Sequence, residues 1–200
     1  MMKLPVLMVL SLSIGLSGCG FHLKGQSGIS QAITQQAHDY WQNHRLLIHA
    51  SAAQSKQGQA ILLQLDAFEV NYQLVDSKES ASQKFEENHS DNVWLEVPPV
   101  NFQSRQTAQS ALGSTTAEIL VLKQSYQLFD HHGKVLTSGT VTTQRDRQVN
   151  PQALLASDSE KQAFLDDMSW ELAEQLVQRL NAYAAIESPS PTVVNTPEGR

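Results

Sequence analysis

One thiol dominates the reactive chemistry available to this chain. Cys19 is its only cysteine, and it closes the run Leu16-Ser17-Gly18-Cys19. Ahead of it, Lys3 supplies a positive charge and Leu4 to Leu16 an apolar segment. That segment is short for a membrane span, which needs roughly 20 apolar residues, and it ends in small residues as a cleavage site should. A leucine, two small residues and a cysteine in this place resemble a bacterial lipobox, where the sulfur is acylated and the cysteine becomes the new N-terminus. Residues 1–18 therefore read as a signal peptide and Cys19 as the lipidation site, anchoring the mature chain to a membrane without spanning it. An ordinary signal peptide with an incidental cysteine is the alternative.

The other reactive side chains do not assemble into a catalytic set. His131-His132 has no Asp, Glu or Cys at ligand spacing, so no metal site is expected and the pair reads as a solvated turn. No serine lies in a Gly-x-Ser-x-Gly context. Asp166-Asp167 reads as charge near a helix N-terminus. The chain is expected to be a non-enzyme with no cofactor beyond the covalent lipid on Cys19.

Composition agrees with an exported domain. The formal net charge is −6 and becomes one unit more negative if Lys3 is cleaved away, which argues against a nucleic-acid binder. With Cys19 acylated, neither disulfides nor thiolate metal sites are available. Only 6% of residues are aromatic and 17% charged, so the core should be modest and the surface rich in neutral polar groups.

Several elements must carry these residues. Residues 19–44 form a lipidated, mostly polar lead-in, helical at most from Ala37 to His44. Arg45 to Ala50 is a short apolar burst that reads as a buried strand. Ile61, Leu65 and Phe68 fall at helical spacing, predicting a helix over 57–70. Residues 76–91 read as a loop. Val93, Leu95 and Val97 alternate as in a strand, and Pro98-Pro99 makes that strand an edge or a bulge before Val100 and Phe102 resume the pattern. Leu120, Leu122, Tyr126 and Leu128 share one face of a strand over 117–129. Asp130 to Gly133 turns, and 135–148 returns as the second strand of a hairpin. Residues 157–184 predict the longest helix, capped by Ser157 or Ser159, with Leu165, Met168, Leu172, Leu176, Leu180 and Tyr183 in one stripe. The expected fold is an α/β (α+β) two-layer sandwich: a small mixed sheet of about four strands, covered on one face by two helices. A single globular domain is expected over 45–186, with 187–200 a disordered tail.

Three segments together resemble one family, the lipopolysaccharide-assembly lipoprotein LptE. They are Cys19-Gly-Phe-His-Leu-Lys24, Val149-Asn-Pro-Gln152 leading through Ala153-Leu-Leu-Ala156, and Ala173-Glu-Gln-Leu176 through Arg179-Leu180. The middle of the chain matches only in pattern, and the stretch from Lys24 to Arg45 is longer than the family's. The resemblance implies a plug inside the LptD β-barrel that assists its assembly and helps deliver lipopolysaccharide to the outer leaflet. It also implies residence on the periplasmic side of the cell outer membrane, which Gly20 after the lipidated cysteine suits. The rival is a periplasm-facing lipoprotein that serves another envelope-assembly machine or carries lipid.

On that reading, basic residues in an acidic chain become candidates for lipid A phosphates: Arg145 and Arg147 at the hairpin end, then Arg105 and Lys123. Ordinary strand-end charge is the simpler alternative. Trp170 and Val177 share a meridian on the last helix, away from its central stripe. They are candidates for a partner interface, or they broaden the buried face.

Overall fold

The structure, a computed structural model, describes residues 28–76 and 92–188. Helix α1 (Gly28–Asn43) leads into strand β1 (Arg45–His49), a 3-10 turn (Ala50–Gln54) and helix α2 (Lys56–Ala67). Strands β2 (Tyr72–Val75), β3 (Asn92–Glu96), β4 (Asn101–Gln109), β5 (Thr115–Phe129) and β6 (Val135–Gln148) follow, then helix α3 (Leu154–Glu187). The fold is mixed α+β, with six strands in one open sheet rather than about four, and three helices rather than two. Strand β2 escaped the sequence reading because a four-residue element carries almost no periodicity.

The sheet has a parallel side and an antiparallel side. Strand β1 pairs in parallel with β2 and β3, and α2 is the crossover between β1 and β2. Strand β5 runs antiparallel to β3, β4 and β6. Both β3 and β4 lie along the same strand: Glu96 sits opposite Gln127 and Asn101 opposite Lys123. Residues 97–100 therefore face 124–126, one residue too many, and Pro98-Pro99 occupies this bulge as the alternation suggested. Gln124, buried on β5, donates through Nε2 to the Pro98 carbonyl and closes the gap.

All three helices contribute to one core on the same sheet face. Alternate β5 residues Leu120, Leu122, Tyr126 and Leu128 point inward with Leu46, Ile48, Val93 and Leu95. They meet Met168, Leu172, Leu176 and Leu180 of α3, Ile61 and Leu65 of α2, and Trp41 of α1. Leu165 and Tyr183, the ends of the expected stripe, are only partly buried. The domain thus begins upstream of residue 45: Trp41 is fully buried and donates through Nε1 to Asn181 Oδ1 at 2.8 Å. A mostly polar sequence hid this helix, since only Ala37, Tyr40 and Trp41 of its described side chains reach the core.

Local chemistry explains the boundaries. Ser55 caps α2, its side chain accepting from the Gly58 N–H. Gly133 closes the β5–β6 turn at φ 78°, while the Asp130 side chain accepts from the N–H groups of His132 and Lys134. The α3 start differs from the expected one. The helix begins at Leu154 after Ala153, with no side-chain cap, and Ser157 lies inside it. Helix α3 also runs to Glu187, past the expected end at 184. The expected signal peptide, Cys19, the 77–91 part of the loop and the tail from 189 lie outside the described residues.

Candidate functional site

The hairpin register decides where each basic side chain goes. Even-numbered β5 positions face the helices, so their β6 partners do too. Arg145 lies opposite Leu120 and Arg147 opposite Glu118, both on the helix face. Arg105 lies opposite Ile119 and Lys123 opposite Asn101, both on the other, open face. The four candidates therefore do not form one patch.

Arg147 is consumed by the fold. Its side chain is 3% exposed, and Nε donates to Glu118 Oε1 at 2.6 Å. Nη1 donates to the Ser157 carbonyl at 2.6 Å and Nη2 to Ser157 Oγ at 3.1 Å. Glu160 stands 3.6 Å from Nη1, and Lys161 3.8 Å from Glu118. Ser104 of β4 donates to the other Glu118 oxygen. This network ties β4, β5 and β6 to the first turns of α3, and it explains why Ser157 serves as a ligand of Arg147 rather than as a helix cap. Burial by itself would raise the Glu118 pKa. Hydrogen bonds from Ser104 and Arg147, with the charges of Lys161 and Arg147, outweigh it and hold the carboxyl below its ordinary value. A guanidinium so occupied has no face left for a lipid phosphate. The expectation for Arg147 is corrected: it is a buried structural cation.

Arg145 is more open, yet Nη2 donates to Glu171 Oε2 at 2.7 Å, which also accepts from Thr143 at 2.7 Å. Arg105 and Lys123 remain exposed on the open face. Their neighbours there are Gln103, Ser125, Gln127, Thr140, Thr142 and Gln144, together with Ile119 and Val121 of β5 and Asp146, which shares the Arg105–Ile119 row. Every residue of β4 is exposed.

The two α3 candidates part company. Val177 is fully buried in the core, which corrects its place as an interface residue, whereas Trp170 is 44% exposed. Both positions share a meridian, but α1 and α2 pack on α3 and widen its buried arc where Val177 sits. The His131 and His132 rings lie 3.7 Å apart at an angle of 44° in the β5–β6 turn, and no group of His, Cys, Asp or Glu suited to a metal occurs among the described residues. No described helix is long and apolar enough to cross a membrane.

Sequence reasoning missed Glu118 and its partners, although a signal existed. Glu118 falls on the even, inward face of β5, but counting back through the 130–133 turn would set it opposite Arg145, and only the pairing of Phe129 with Val135 and the register shift between Leu128 and Phe129 bring Arg147 beside it.

The sequence matches no family model and no curated protein. Solved structures do resemble it in shape. The chain has the fold of bacterial lipoproteins. Rare lipoprotein B from Shewanella oneidensis superposes with a TM-score of 0.54 at 13% identity, covering 68% of this chain and 92% of that one. An uncharacterized lipoprotein B from Nitrosomonas europaea gives 0.53 at 17% identity, covering 71% and 84%. A minor lipoprotein from Acinetobacter baumannii gives 0.51 at 17%, covering 70% and 91%. Within this fold, the strands β4, β5 and β6 form an arm that runs past the ends of β1 and β2, and its open face carries the exposed cations Arg105 and Lys123 among polar residues, Ile119, Val121 and Asp146.

Proposed function

We propose that this chain is an outer-membrane lipoprotein of the lipopolysaccharide-assembly type, tethered through lipid on Cys19 and seated as a plug in the LptD β-barrel. The observation that carries the reading is the lipoprotein fold downstream of a lipobox-like Cys19, with sequence segments resembling LptE at both ends. The arm suits such a role. The three strands carry mainly polar side chains on their open face, with Ile119 and Val121 among them, which suits a wet lumen better than the continuous apolar face a lipid carrier would need. The protein performs no chemistry, uses no cofactor beyond its own lipid and binds no nucleic acid. Lipopolysaccharide contact falls to Lys123 and Arg105, the exposed cations of the open face, and Arg147 has no part in it.

The test is purification of the full-length lipoprotein from detergent-solubilised outer membranes. A large barrel should accompany it in fixed stoichiometry, and recovery of the lipoprotein alone would sink the proposal. Cys19→Ala should abolish acylation and processing at this position. Replacing Lys123 and Arg105 with Glu should weaken lipopolysaccharide binding at low ionic strength and flatten its salt dependence. Unchanged binding would return both residues to ordinary surface charge.

A further inference from the structure

Among the described residues, the sheet leaves one strand position unfilled. Its β1 side holds β2, β1, β3, β5 and β6 in order, but beyond the Pro98-Pro99 bulge β4 takes over from β3 and has no outer neighbour among the described residues. Strand β1 stops at His49, so a slot in line with it opens beside β4. Nine residues from Asn101 to Gln109 line that slot, all exposed. The stretch 101–106 is in regular register, with shifts only after Gln106, and it carries neither proline nor lysine to discourage pairing.

At the foot of the slot lies a groove of about 740 Å³, between the 3-10 turn and first turn of α2 on one side and residues 96–100 on the other. Ala52, Ile61, Pro99 and Val100 supply apolar wall, and Gln57 lies among them. Both polar atoms of the Gln57 amide are buried without a hydrogen-bond partner. An unsatisfied buried amide costs stability, about 1–3 kcal/mol for each orphaned group. Gly58 fixes its position: a Cβ there would stand 1.8 Å from the Ala52 carbonyl oxygen, so the turn packs directly on the helix.

We infer that this slot receives an extended segment of another protein, added as a strand to the β4 edge, with its end in the groove beside Pro99 and Val100. Main-chain pairing supplies the affinity and the side-chain pockets the choice of partner. Arg105 is the only charged residue of β4 and sits at its centre. A second copy pairing antiparallel about that centre would set Arg105 against Arg105, which is unfavourable. The segment that fits carries a carboxylate opposite Arg105. Arg105 serves both this inference and the lipopolysaccharide reading, whereas Lys123, two rows away, serves only the latter, so Lys123→Glu tells the failure of one from the failure of the other.

The experiment uses the full-length lipoprotein in detergent and two capped nine-residue peptides of alternating threonine and valine, one with glutamate at the centre and one with lysine. The glutamate peptide should slow hydrogen exchange of β4 amides and bind roughly twofold to fivefold tighter than the lysine peptide. Arg105→Glu should reverse that preference, and Lys123→Glu should leave it unchanged. The inference is overturned by protection that falls outside 101–109, by a preference that ignores Arg105→Glu, or by no binding at millimolar peptide. Protection of β4 without peptide that rises with protein concentration would assign the edge to a second copy and overturn it as well.

Discussion

Inward positions tell the two ends of the sheet apart. Beneath the helices, Leu46, Ile48, Val93 and Leu95 meet Trp41, Leu65, Leu176 and Leu180, all buried. At the arm, the inward positions of β4, β5 and β6 hold Ser104, Glu118 and Arg147, joined to Ser157 of α3. Apolar burial is non-directional and degrades gradually when one contact is lost. A buried ion pair is all or nothing, because removing one partner strands the other charge in a poor solvent. The arm is therefore held conditionally, and the condition is the charge on Glu118.

The largest effects should expose this difference. Leu176→Ala in the packed half should cost about 2–5 kcal/mol of stability, and Arg147→Ala in the arm about 3–5 kcal/mol. Urea titrations at neutral and acid pH separate them. The Leu176→Ala loss should hardly change with pH. The Arg147→Ala loss should shrink in acid, where the stranded Glu118 takes up a proton. In the unaltered protein the folded Glu118 pKa lies below its ordinary 4.5, so its contribution is complete above that pH and is lost as pH falls through the lowered folded value. Equal pH dependence of the two variants would erase the distinction. Replacing Glu118 and Arg147 together by leucine and methionine should cost far less than Arg147→Ala alone.

An intermediate effect probes the junction of the halves. Gly58→Ala drives a methyl into the Ala52 carbonyl, so the 3-10 turn must shift, at about 1–3 kcal/mol. Exchange should quicken across residues 50–61 while the Arg147 network keeps its protection. Uniform loss of protection would show that the halves unfold together.

Smaller still is Trp170→Ala, which should lower the free domain's stability by about 1 kcal/mol or less. It should weaken recovery with the barrel by more, about 2 kcal/mol if Trp170 is an anchor. A large loss of thermal stability in the free domain would make it a core residue instead. Smallest is Arg145→Ala, which breaks a half-exposed pair with Glu171 worth about 0.2–1 kcal/mol. Chemical denaturation in low and high salt should show that loss fading as salt rises.

The legible parts of the fold were those with long, clean patterns. The hairpin over β5 and β6, the bulge at Pro98-Pro99 and the α3 stripe from Met168 to Leu180 all follow from local alternation, turn chemistry and helical spacing. Helix α1 was less so, because its buried face is short and flanked by glutamines and polar residues. Among the candidate site residues, Arg105, Lys123, Arg145 and Trp170 are exposed, whereas Arg147 and Val177 are buried. Arg147 and Val177 looked equally free on their own elements, since one element's periodicity says nothing about what packs across from it.

The sequence by itself determined the inward and outward faces of each long element, because side-chain direction follows from backbone period alone. It also placed the single thiol behind an apolar leader. Only the tertiary structure decided which charges are spent inside and which remain outside. Glu118 and Arg147 are 29 residues apart, and whether they neutralise each other depends on register and on α3 closing over them. Among the described residues, the exposed outer edge of β4 is likewise a property of the sheet, set by where β1 stops and β4 continues.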